Sequence, residues 1–398
     1  MNFCGEIKRN RFLDFTINPG PAYKNKKALV ELKNHHFLFG CNAFDLIDDT
    51  DNDILNKLQE KFLGIFNAGT LPFYWGSYEP DEGKTIEEKM LKAARRLKDK
   101  GVVLKGHPLC WHTLCADWLL AYDNKTIMQK QMARITREVK AFKNYIDYWD
   151  AINEPIIMPA YNRYDNAMTR IANEYGNEEL ALACFMQAKA VKPDCFLLIN
   201  DYDLSRRYER LIENLLEKGC PIDAIGIQTH QHQGYKGIEY MSDVLDRLSK
   251  FELPLHFTEN TILSGDLVPA DCKDLNDAAR DDWPSTPEGE QRQMEQTVEF
   301  YSLVYSHPAV EAVTWWDLVD GKWLNAPSGL LRRDLSEKPA YKELRKLVSE
   351  EWGFPRTELR LSESGELSFR GPEGEYLISI DGKETSLNLD RYKTTATL

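Results

Sequence analysis

Residues 148–155 read Tyr-Trp-Asp-Ala-Ile-Asn-Glu-Pro, and residues 256–260 read His-Phe-Thr-Glu-Asn. Each stretch is a short apolar or aromatic run that ends in a carboxylate. This pattern is typical of a buried parallel strand that delivers an acid to the open end of a barrel. An acid at a strand end also caps a following helix, so neither stretch alone distinguishes a functional site from a helix cap.

Similar strand-like runs alternate with helix-like stretches from about residue 37 to about residue 348. The eight predicted strands are Phe37–Asn42, Leu63–Thr70, Val102–His107, Tyr148–Asn153, Phe196–Asp201, Ala224–His230, Leu255–Glu259 and Ala312–Trp316. Helix-prone stretches such as Thr85–Lys100, Ile127–Asn144 and Glu288–Tyr305 lie between them. Eight βα units predict an α/β fold of the closed (β/α)8 TIM-barrel type. No glycine-rich phosphate loop follows the first strand, which argues against a dinucleotide-binding sheet.

The two flanks of the predicted barrel have a different pattern. Residues 11–17 and 27–32 alternate polar and apolar side chains around Asn18-Pro19-Gly20-Pro21, which predicts a hairpin, and short strands with turns follow residue 353. We therefore predict an N-terminal β flank over 1–36, a barrel over 37–348 that holds any catalytic site, and a C-terminal β flank over 349–398. The flanks are expected to pack together as one small β module, most simply a structural brace. Two independent edge hairpins, or a carbohydrate-binding module, are the alternatives.

Composition narrows the function classes. The chain has 398 residues and a formal charge of 50 − 63 = −13, so it should repel nucleic acid and anionic membranes. No apolar run approaches the roughly 18 residues of a membrane span. No signal segment is recognised near Met1, which predicts a cytoplasmic protein, or a secreted or periplasmic one if a leader has been removed. Eight cysteines are scattered through the sequence, and Cys41, Cys110 and Cys195 lie in or beside apolar runs. They are interpreted as buried reduced thiols in preference to disulfides or zinc ligands.

The two glutamates at predicted strand ends, Glu154 and Glu259, point to a class of chemistry. A pair of carboxylates is the minimum equipment for glycoside hydrolysis, with one as acid and the other as nucleophile or base. Histidines and aspartates do not recur at metal-ligand spacing, so we expect neither a metal nor any other cofactor. The expected partner is a carbohydrate substrate.

A series of further motifs follows in chain order. They are Gly106-His107-Pro108-Leu109-Cys110-Trp111-His112, Trp149 to Glu154, Ile199-Asn200-Asp201-Tyr202, Gly226-Ile227-Gln228-Thr229-His230, Thr258-Glu259, Trp316, Trp323 and Lys338-Pro339-Ala340-Tyr341. In this order, on these predicted strands, the chain resembles the family 10 glycoside hydrolases, the retaining endo-β-1,4-xylanases. The resemblance runs from about Phe37 to about Leu347.

The resemblance implies roles for individual residues. Glu154 would be the acid/base and Glu259 the nucleophile, with their carboxyls about 5–5.5 Å apart as retention requires. Asn153 would bind the sugar 2-hydroxyl, and His230 would orient Glu259 and keep it ionised. Without the resemblance, a single strand-end histidine is more often structural than functional. The residues expected to bind substrate are His112, Trp118, Gln228, Trp316, Trp323 and Tyr74, while Trp315 is expected to pack in the core.

The chain also departs from the family pattern. The family has a Glu-Asn pair and a lysine after the second strand, where residues 70–76 here read Thr-Leu-Pro-Phe-Tyr-Trp-Gly. We expect an aromatic surface in place of these polar contacts. An acid two residues after the nucleophile is replaced by Thr261, which is expected to remove a partner of the nucleophile–histidine network. Residues 231–233, Gln-His-Gln, continue a polar stretch beyond His230.

The sequence is compatible with three alternative functions. The first is a retaining β-glycoside hydrolase that cleaves a xylan-type polysaccharide or oligosaccharide through a glycosyl-enzyme intermediate. The second is a retaining β-glycosidase that acts on a decorated or non-xylan glycan, which the altered 70–76 segment favours. The third is a catalytically silent carbohydrate-binding barrel, which would be favoured if either glutamate were missing.

Overall fold

The computed structural model describes residues 3–48 and 52–398. Along the described chain the strands are β1 (Phe12–Asn18), β2 (Lys27–His35), β3 (Leu38–Asn42), β4 (Ala68–Pro72), β5 (Val103–His107), β6 (Ile146–Asn153), β7 (Phe196–Asp201), β8 (Ala224–Gln231), β9 (Leu255–Ile262), β10 (Val310–Trp315), β11 (Thr357–Arg360), β12 (Leu367–Pro372), β13 (Gly374–Ile380), β14 (Lys383–Leu389) and β15 (Thr395–Thr397). The α-helices are α1 (Phe3–Arg11), α2 (Asp53–Leu63), α3 (Trp75–Tyr78), α4 (Glu87–Lys98), α5 (Asn124–Phe142), α6 (Ala167–Tyr175), α7 (Asn177–Val191), α8 (Arg206–Glu217), α9 (Gly237–Leu248), α10 (Pro287–Ser306) and α11 (Pro339–Lys346).

Strands β3 to β10 form a closed parallel barrel, in which chain neighbours pair and β10 returns to β3. The predicted (β/α)8 fold is confirmed. Each strand is buried on both faces, between the side chains that fill the barrel and the helices outside it, and this explains its nearly continuous apolar run. The carboxyl ends of all eight strands consequently meet at one rim, where strand-end side chains from distant parts of the chain converge.

All eight predicted barrel strands are present, but the second starts later than expected. Helix α2 continues to Leu63, and the backbone N–H groups of Ile65 and Phe66 still donate to Phe62 at 3.2 and 2.9 Å. Ile65 and Phe66 are buried by this turn, so their apolar character reports core packing rather than a strand. Strand β4 begins only at Ala68.

Helix α10 starts where the sequence around Thr286 predicts a cap. Thr286 accepts a hydrogen bond from the backbone N–H of Gly289 at 3.0 Å, and Pro287 occupies the first helical position. Proline loses nothing there, because the first-turn N–H groups have no partner within the helix. The long α10 helix then packs against α11 and α1 on the outside of the barrel.

The flanks build two small sheets that share one core. Strands β1, β12 and β15 form one sheet, and β11, β2, β13 and β14 form the other. Alternate side chains of both sheets, among them Phe15, Val30, Phe369 and Tyr376, are buried against each other. Strands from the two ends of the chain therefore pair directly, for instance Phe12 with Pro372. The division of the chain at residues 36 and 348 stays a prediction.

The hairpin expected in the N-terminal flank is wrong. Strands β1 and β2 do not pair with each other as a hairpin, because the segment between them crosses from one sheet to the other through a 3₁₀ turn at Pro21–Tyr23. Helix α1 precedes β1 in this flank. At the end of this helix Arg11 donates to three backbone carbonyls at the end of α10 and the start of β10, those of Tyr305, His307 and Val310, at 2.6–2.7 Å.

The structure also bears on the predictions for the cysteines and for membrane spans. All eight cysteines are unpaired thiols, and those at positions 41, 110, 115, 184, 195 and 220 are buried. Burial is not found for the other two, because Cys4 is exposed and Cys272 is half-buried. Over residues 3–48 and 52–398, no helix has both the length and the apolar character that a membrane crossing requires.

Candidate active site

A cleft of about 920 Å³ opens at the carboxyl ends of the barrel strands. Eight of the ten predicted site residues line it, namely Tyr74, His112, Glu154, Gln228, His230, Glu259, Trp316 and Trp323. Asn153 lies just beneath the cleft floor, with 1% of its surface exposed. The barrel thus brings together side chains that are separated by more than two hundred residues in the sequence.

Glu154 follows β6 in the left-handed backbone region, with φ at 55°. Non-glycine residues rarely adopt this conformation, and they do so chiefly where the surroundings enforce it. Here the backbone N–H of Glu154 donates to the Asn200 carbonyl at 2.8 Å. The carboxylate accepts from Trp111 Nε1 at 2.9 Å and from Gln228 Nε2 at 3.4 Å. These contacts aim Glu154 into the cleft.

Glu154 is held in its acid form. Burial raises its pKa to about 8, and the nearby charges of Asp201 and Glu259 act in the same direction, although the hydrogen bond from Trp111 opposes them. Asp201 lies beneath the turn after Glu154 and accepts from the backbone N–H of Ile156 at 3.0 Å. A carboxyl with this pKa is protonated at neutral pH and can donate a proton to a leaving group.

Glu259 lies within β9 and has the opposite character. Its Oε2 is 2.8 Å from His230 Nε2, and its Oε1 accepts from Asn200 Nδ2 at 3.2 Å. Burial alone would raise its pKa. The hydrogen bond from His230 and the positive charge of Lys105 act against burial, and the pKa of Glu259 lies below its ordinary value. An ionised carboxylate in a closed cleft is suited to nucleophilic attack.

A network of amide side chains connects the two carboxyls. The Oδ1 atom of Asn153 accepts from Asn200 Nδ2 at 2.7 Å and from Gln228 Nε2 at 2.9 Å. Thr258 Oγ1 donates to Asn200 Oδ1 at 2.6 Å. These bonds settle which way the amides face, and they leave the Asn153 NH2 group pointing toward Glu154 at 3.4 Å. Asn200, for which the sequence predicts no role, contacts both Asn153 and Glu259.

His112 lies on the same side of the cleft as the acid. Its Nε2 is 3.8 Å from Glu154 Oε2, and its ring packs against Tyr161 at 4.4 Å between centroids. Burial lowers the pKa of His112 to about 3, so the imidazole is neutral. Because the His112 ring carries no positive charge, it does not favour ionisation of Glu154.

Aromatic rings form the walls of the cleft. Trp316 packs edge-on against Phe44 at 5.2 Å, and Trp323 lies 4.5 Å from the His230 ring. Trp315 points the other way, is fully buried and donates from Nε1 to the Ser328 carbonyl at 3.0 Å. The predicted difference between Trp315 and Trp316 is therefore correct, and it follows from the alternation of side chains along a strand.

The aromatic surface expected from residues 70–76 is smaller than predicted. Only Tyr74 of this segment lines the cleft, with its ring 5.3 Å from Trp111 and 5.7 Å from His107. Phe73 and Trp75 are buried in the hydrophobic core behind it. The polar contacts of the family pattern are thus replaced at this wall by one tyrosine ring.

Trp118 is not a cleft residue, and its assignment to substrate binding is wrong. Its ring packs edge-on against Trp75 at 5.7 Å, and its Nε1 donates to the Glu79 carbonyl at 3.0 Å. The residue belongs to a 3₁₀ turn at Asp117–Ala121, one loop beyond the part of the chain that faces the cleft. Trp118 is close in sequence to the motif at residues 106–112, but its indole N–H is satisfied outside the cleft.

His107 and Trp111, from the motif at residues 106–112, also line the cleft. Asp150 Oδ2 lies 2.6 Å from His107 Nδ1 and 2.9 Å from Lys105 Nζ, while His107 Nε2 is 3.7 Å from Glu259 Oε1. Lys105 and His107 are two residues apart on β5 and thus face the barrel interior together. A lysine and a histidine at alternate positions of an otherwise apolar strand are the sequence signal for this cluster.

Ion pairs tie together the loops around the cleft. Arg163, after β6, pairs with Asp274 and Asp277, after β9, at 2.7 and 2.8 Å. Since β7 and β8 lie between these strands in the barrel, the pair crosses part of the rim. We call Arg163, Asp274 and Asp277 the loop bridge. Arg163 and Asp274 line the cleft, as do Tyr202 and Tyr240.

Comparison with known proteins is consistent with this architecture. An endo-1,4-β-xylanase C of Paenibacillus barcinonensis is 24% identical over 80% of this chain, which spans only 31% of that protein. An endo-1,4-β-xylanase B of Thermotoga neapolitana is 24% identical over 81% of this chain and 91% of that protein. The structure of native xylanase 10B from Thermotoga maritima, 21% identical, superposes with a TM-score of 0.64 over 79% of this chain and 97% of that chain.

Residues 72–347 match the sequence model of glycosyl hydrolase family 10. This range contains both carboxylates, the amide network and the aromatic walls of the cleft. It ends at Leu347, the same residue at which the motif resemblance ends. The expected family is therefore confirmed, and with it the class of glycoside hydrolases: the chain belongs to glycosyl hydrolase family 10.

Proposed function

We propose that the protein is a retaining β-glycoside hydrolase that cleaves a xylan-type polysaccharide or oligosaccharide, with Glu154 as acid/base and Glu259 as nucleophile. The observation that carries this proposal is the contrast between the two carboxyls. Both face one cleft, yet burial raises the pKa of Glu154, whereas the hydrogen bond from His230 and the positive charge of Lys105 lower that of Glu259. Opposite protonation states are what the two steps of retention need.

In the first step, the Glu259 carboxylate attacks the anomeric carbon while the glycosidic C–O bond breaks. Glu154 gives its proton to the departing oxygen, so the leaving chain departs as a neutral alcohol. The anomeric carbon is then bonded to Glu259, and Glu154 is ionised. In the second step, water attacks that carbon, Glu154 takes the water's proton, and the bond to Glu259 breaks. Both carboxyls return to their starting states.

Neighbouring side chains support these steps. Trp111 stabilises Glu154 when it is ionised, in the intermediate, and Gln228 and Asn153 hold its orientation. The NH2 group of Asn153 is placed to contact the sugar 2-hydroxyl. Trp316 and Trp323 offer ring faces on which an apolar sugar face can stack.

A decorated or non-xylan glycan is the second candidate substrate, and Tyr74 favours it. This ring occupies the wall where the family pattern has charged and amide groups. A wall built on hydrogen bonds discriminates sharply between sugars, whereas a stacking wall accepts more variation. The loss of several charge-assisted bonds, each worth about 1.5–3 kcal/mol, would weaken capture of a plain xylose unit.

Product analysis tests the reaction and the substrate together. The protein is incubated with linear xylan, substituted xylans, other β-linked glycans and aryl β-glycosides, and early products are followed by proton NMR. We expect the β anomer first, and a Glu259→Gln variant of intact fold should lose activity by at least ~1000-fold. Prompt formation of the α anomer would indicate inversion. No hydrolysis of any β-glycan would leave the silent binding barrel as the better description.

A further inference from the structure

Two buried side chains with no role in the steps above lie directly behind the nucleophile. Thr261 Oγ1 is 3.3 Å from His230 Nδ1 and 3.2 Å from His232 Nδ1. Together with the contact of His230 Nε2 to Glu259, these distances define a relay that runs from His232 through Thr261 and His230 to Glu259. Thr261 and His232 are both 0% exposed, so bulk water does not compete for their bonds.

Strand geometry builds the relay. Glu259 and Thr261 are two residues apart on β9 and face the same side. His230 lies near the end of β8 and His232 directly after it, and both reach Thr261. The register pairs His230 with Thr261. The expectation that Thr261 removes a partner from the nucleophile–histidine network is therefore wrong, because Thr261 still contacts His230. What is lost relative to an acid is the negative charge, since the hydroxyl still reaches His230.

The exchange of an acid for a hydroxyl changes which proton positions are possible. A carboxylate at position 261 could only accept from His230 Nδ1, and with Glu259 accepting at Nε2 the ring would hold two protons. A threonine hydroxyl both donates and accepts. It can donate to His230 Nδ1 and accept from His232 Nδ1, and the His230 ring then needs only one proton, at Nε2.

The far end of the relay favours this arrangement. His232 Nε2 has no hydrogen-bond partner in the described chain. If His232 carries its single proton at Nδ1, the orphan atom is a bare acceptor. If the proton were at Nε2, a buried N–H donor would be stranded, and buried donors without partners are the rarer and more costly case. His232 then donates to Thr261, Thr261 to His230, and His230 to Glu259.

We propose that Thr261 and His232 are positioning residues that hold His230 as a neutral ring protonated at Nε2. Glu259 would thereby receive one directed hydrogen bond without a full positive charge beside it. An anion paired with a neutral donor is less stabilised in the ground state than one paired with an imidazolium, and so it remains the stronger nucleophile. The catalytic part of this inference rests on the proposed role of Glu259, whereas the protonation pattern does not.

Other charged groups act on the same side chains and stay unchanged in the tests below. Asp317 acts electrostatically on His230. The groups that act on Glu259 are Lys105 and His107 on β5, Tyr74 in the 70–76 segment, and Glu154 after β6. The ring neighbours of His232 beyond the relay are the uncharged Trp283 and Trp323. A change confined to Thr261 therefore alters the relay while it preserves the surrounding charges.

The decisive measurement is the tautomer of His230 in the substrate-free protein. Histidine rings are labelled with ¹⁵N, and the His230 signals are assigned through their loss in His230→Asn. We expect a protonated Nε2 and a bare Nδ1 at neutral pH. Thr261→Val, which keeps the shape but removes the hydroxyl, should mix the two tautomers, and Thr261→Ser should recover the single one. Two protonated nitrogens in the wild-type ring, or an unaltered tautomer in Thr261→Val, would overturn the proposal.

Kinetics on the best substrate give the second readout. Thr261→Val is expected to lower kcat about 10-fold or more with little change in KM, because misdirection of the nucleophile affects the transition state rather than binding. Thr261→Ser should recover most of the loss. His232→Asn, whose amide nitrogen can take the place of Nδ1, should be less impaired than His232→Leu. Equal kcat in Thr261→Val and the wild type would refute the positioning role.

The wild-type spectrum decides the protonation pattern even if a variant fails to fold. It requires no substrate, so failure of the proposed glycosidase function would leave it intact.

Discussion

The indole Nε1 of Trp111 donates a 2.9 Å hydrogen bond to Oε2 of Glu154. A side chain from the loop after β5 therefore contacts the acid that ends β6. The bond favours the ionised form of Glu154 and so opposes the effect of burial on its pKa. Trp111 should consequently influence both the position of the acid and the pH at which it ionises.

This contact leads to a prediction for the pH profile. The first step needs Glu154 protonated and Glu259 ionised. As pH rises through about 8, Glu154 loses its proton and kcat/KM should fall. On the acidic side, kcat/KM should fall only below the pH at which an ordinary glutamate is protonated, because the pKa of Glu259 is lowered. Trp111→Phe removes a bond that stabilises the anion, so the alkaline limb should move to higher pH. Trp118→Phe, outside the cleft, is the matched control. An alkaline limb that moves equally in both variants, or in neither, would contradict this assignment.

Chemical rescue separates the two carboxyls. In Glu154→Ala the second step lacks its base, so substrates with good leaving groups should accumulate the glycosyl-enzyme. Azide needs no deprotonation and should restore turnover of an aryl glycoside, with a β-glycosyl azide as product. With Glu259→Ala, azide should not yield a product of retained configuration, the β-glycosyl azide. A β-azide from the Glu259 variant would reverse the two roles.

Tyr74 is expected to contribute to substrate recognition through its ring. Tyr74→Ala should lower kcat/KM on the true substrate by up to about 10-fold, the effect of losing a stacking contact of about 0.5–1.5 kcal/mol. Tyr74→Phe keeps the ring and serves as control. The comparison is made on linear xylohexaose and on substituted or non-xylan oligosaccharides. Ordinary xylohexaose turnover that Tyr74→Ala leaves unaffected would restore plain linear xylan as the leading substrate.

The loop bridge should affect long substrates more than short ones. Arg163→Ala releases the link between the loops after β6 and β9, and it should raise kcat/KM on polymer relative to trisaccharide several-fold. Stability should change by no more than about 1 kcal/mol, because the three side chains are solvent-exposed. Arg170→Ala breaks the exposed pair with Asp165, which does not link the two loops, and is the control. An unchanged polymer-to-trisaccharide ratio would show that the bridge does not restrict access.

Lys338 is expected to matter for folding rather than catalysis. Its Nζ is fully buried and contacts Asp320 Oδ1 at 2.6 Å, Ser264 Oγ at 2.7 Å and the Gly329 carbonyl at 2.8 Å. Lys338→Met leaves the carboxylate of Asp320 buried without its partner, so unfolding free energy should drop by about 3–5 kcal/mol. Lys346→Met, which breaks an exposed pair with Glu351, should cost no more than about 1 kcal/mol. Equal melting temperatures for the two variants would argue against a structural role.

The sequence alone determined the barrel and its two carboxylates. Parallel strands buried on both faces must be apolar almost throughout, so β6 and β9 are visible as short apolar runs that end in an acid. Strand order follows chain order in this fold, and strand-end residues therefore share one rim whatever their separation in sequence. Residues such as Glu154, Glu259 and Trp316 could be placed in the cleft for this reason.

Only the tertiary structure decided how those side chains contact one another. The exclusion of Trp118, the hydrogen bond from Trp111 to Glu154 and the reach of Thr261 to two histidines all depend on ångström-scale distances between separate loops and strands. Local patterns report which face of an element is buried, but not which polar atoms meet across the barrel. The pairing of β1 with β12 instead of β2 has the same cause, because a shared core between distant chain segments outweighs the local signal for a hairpin.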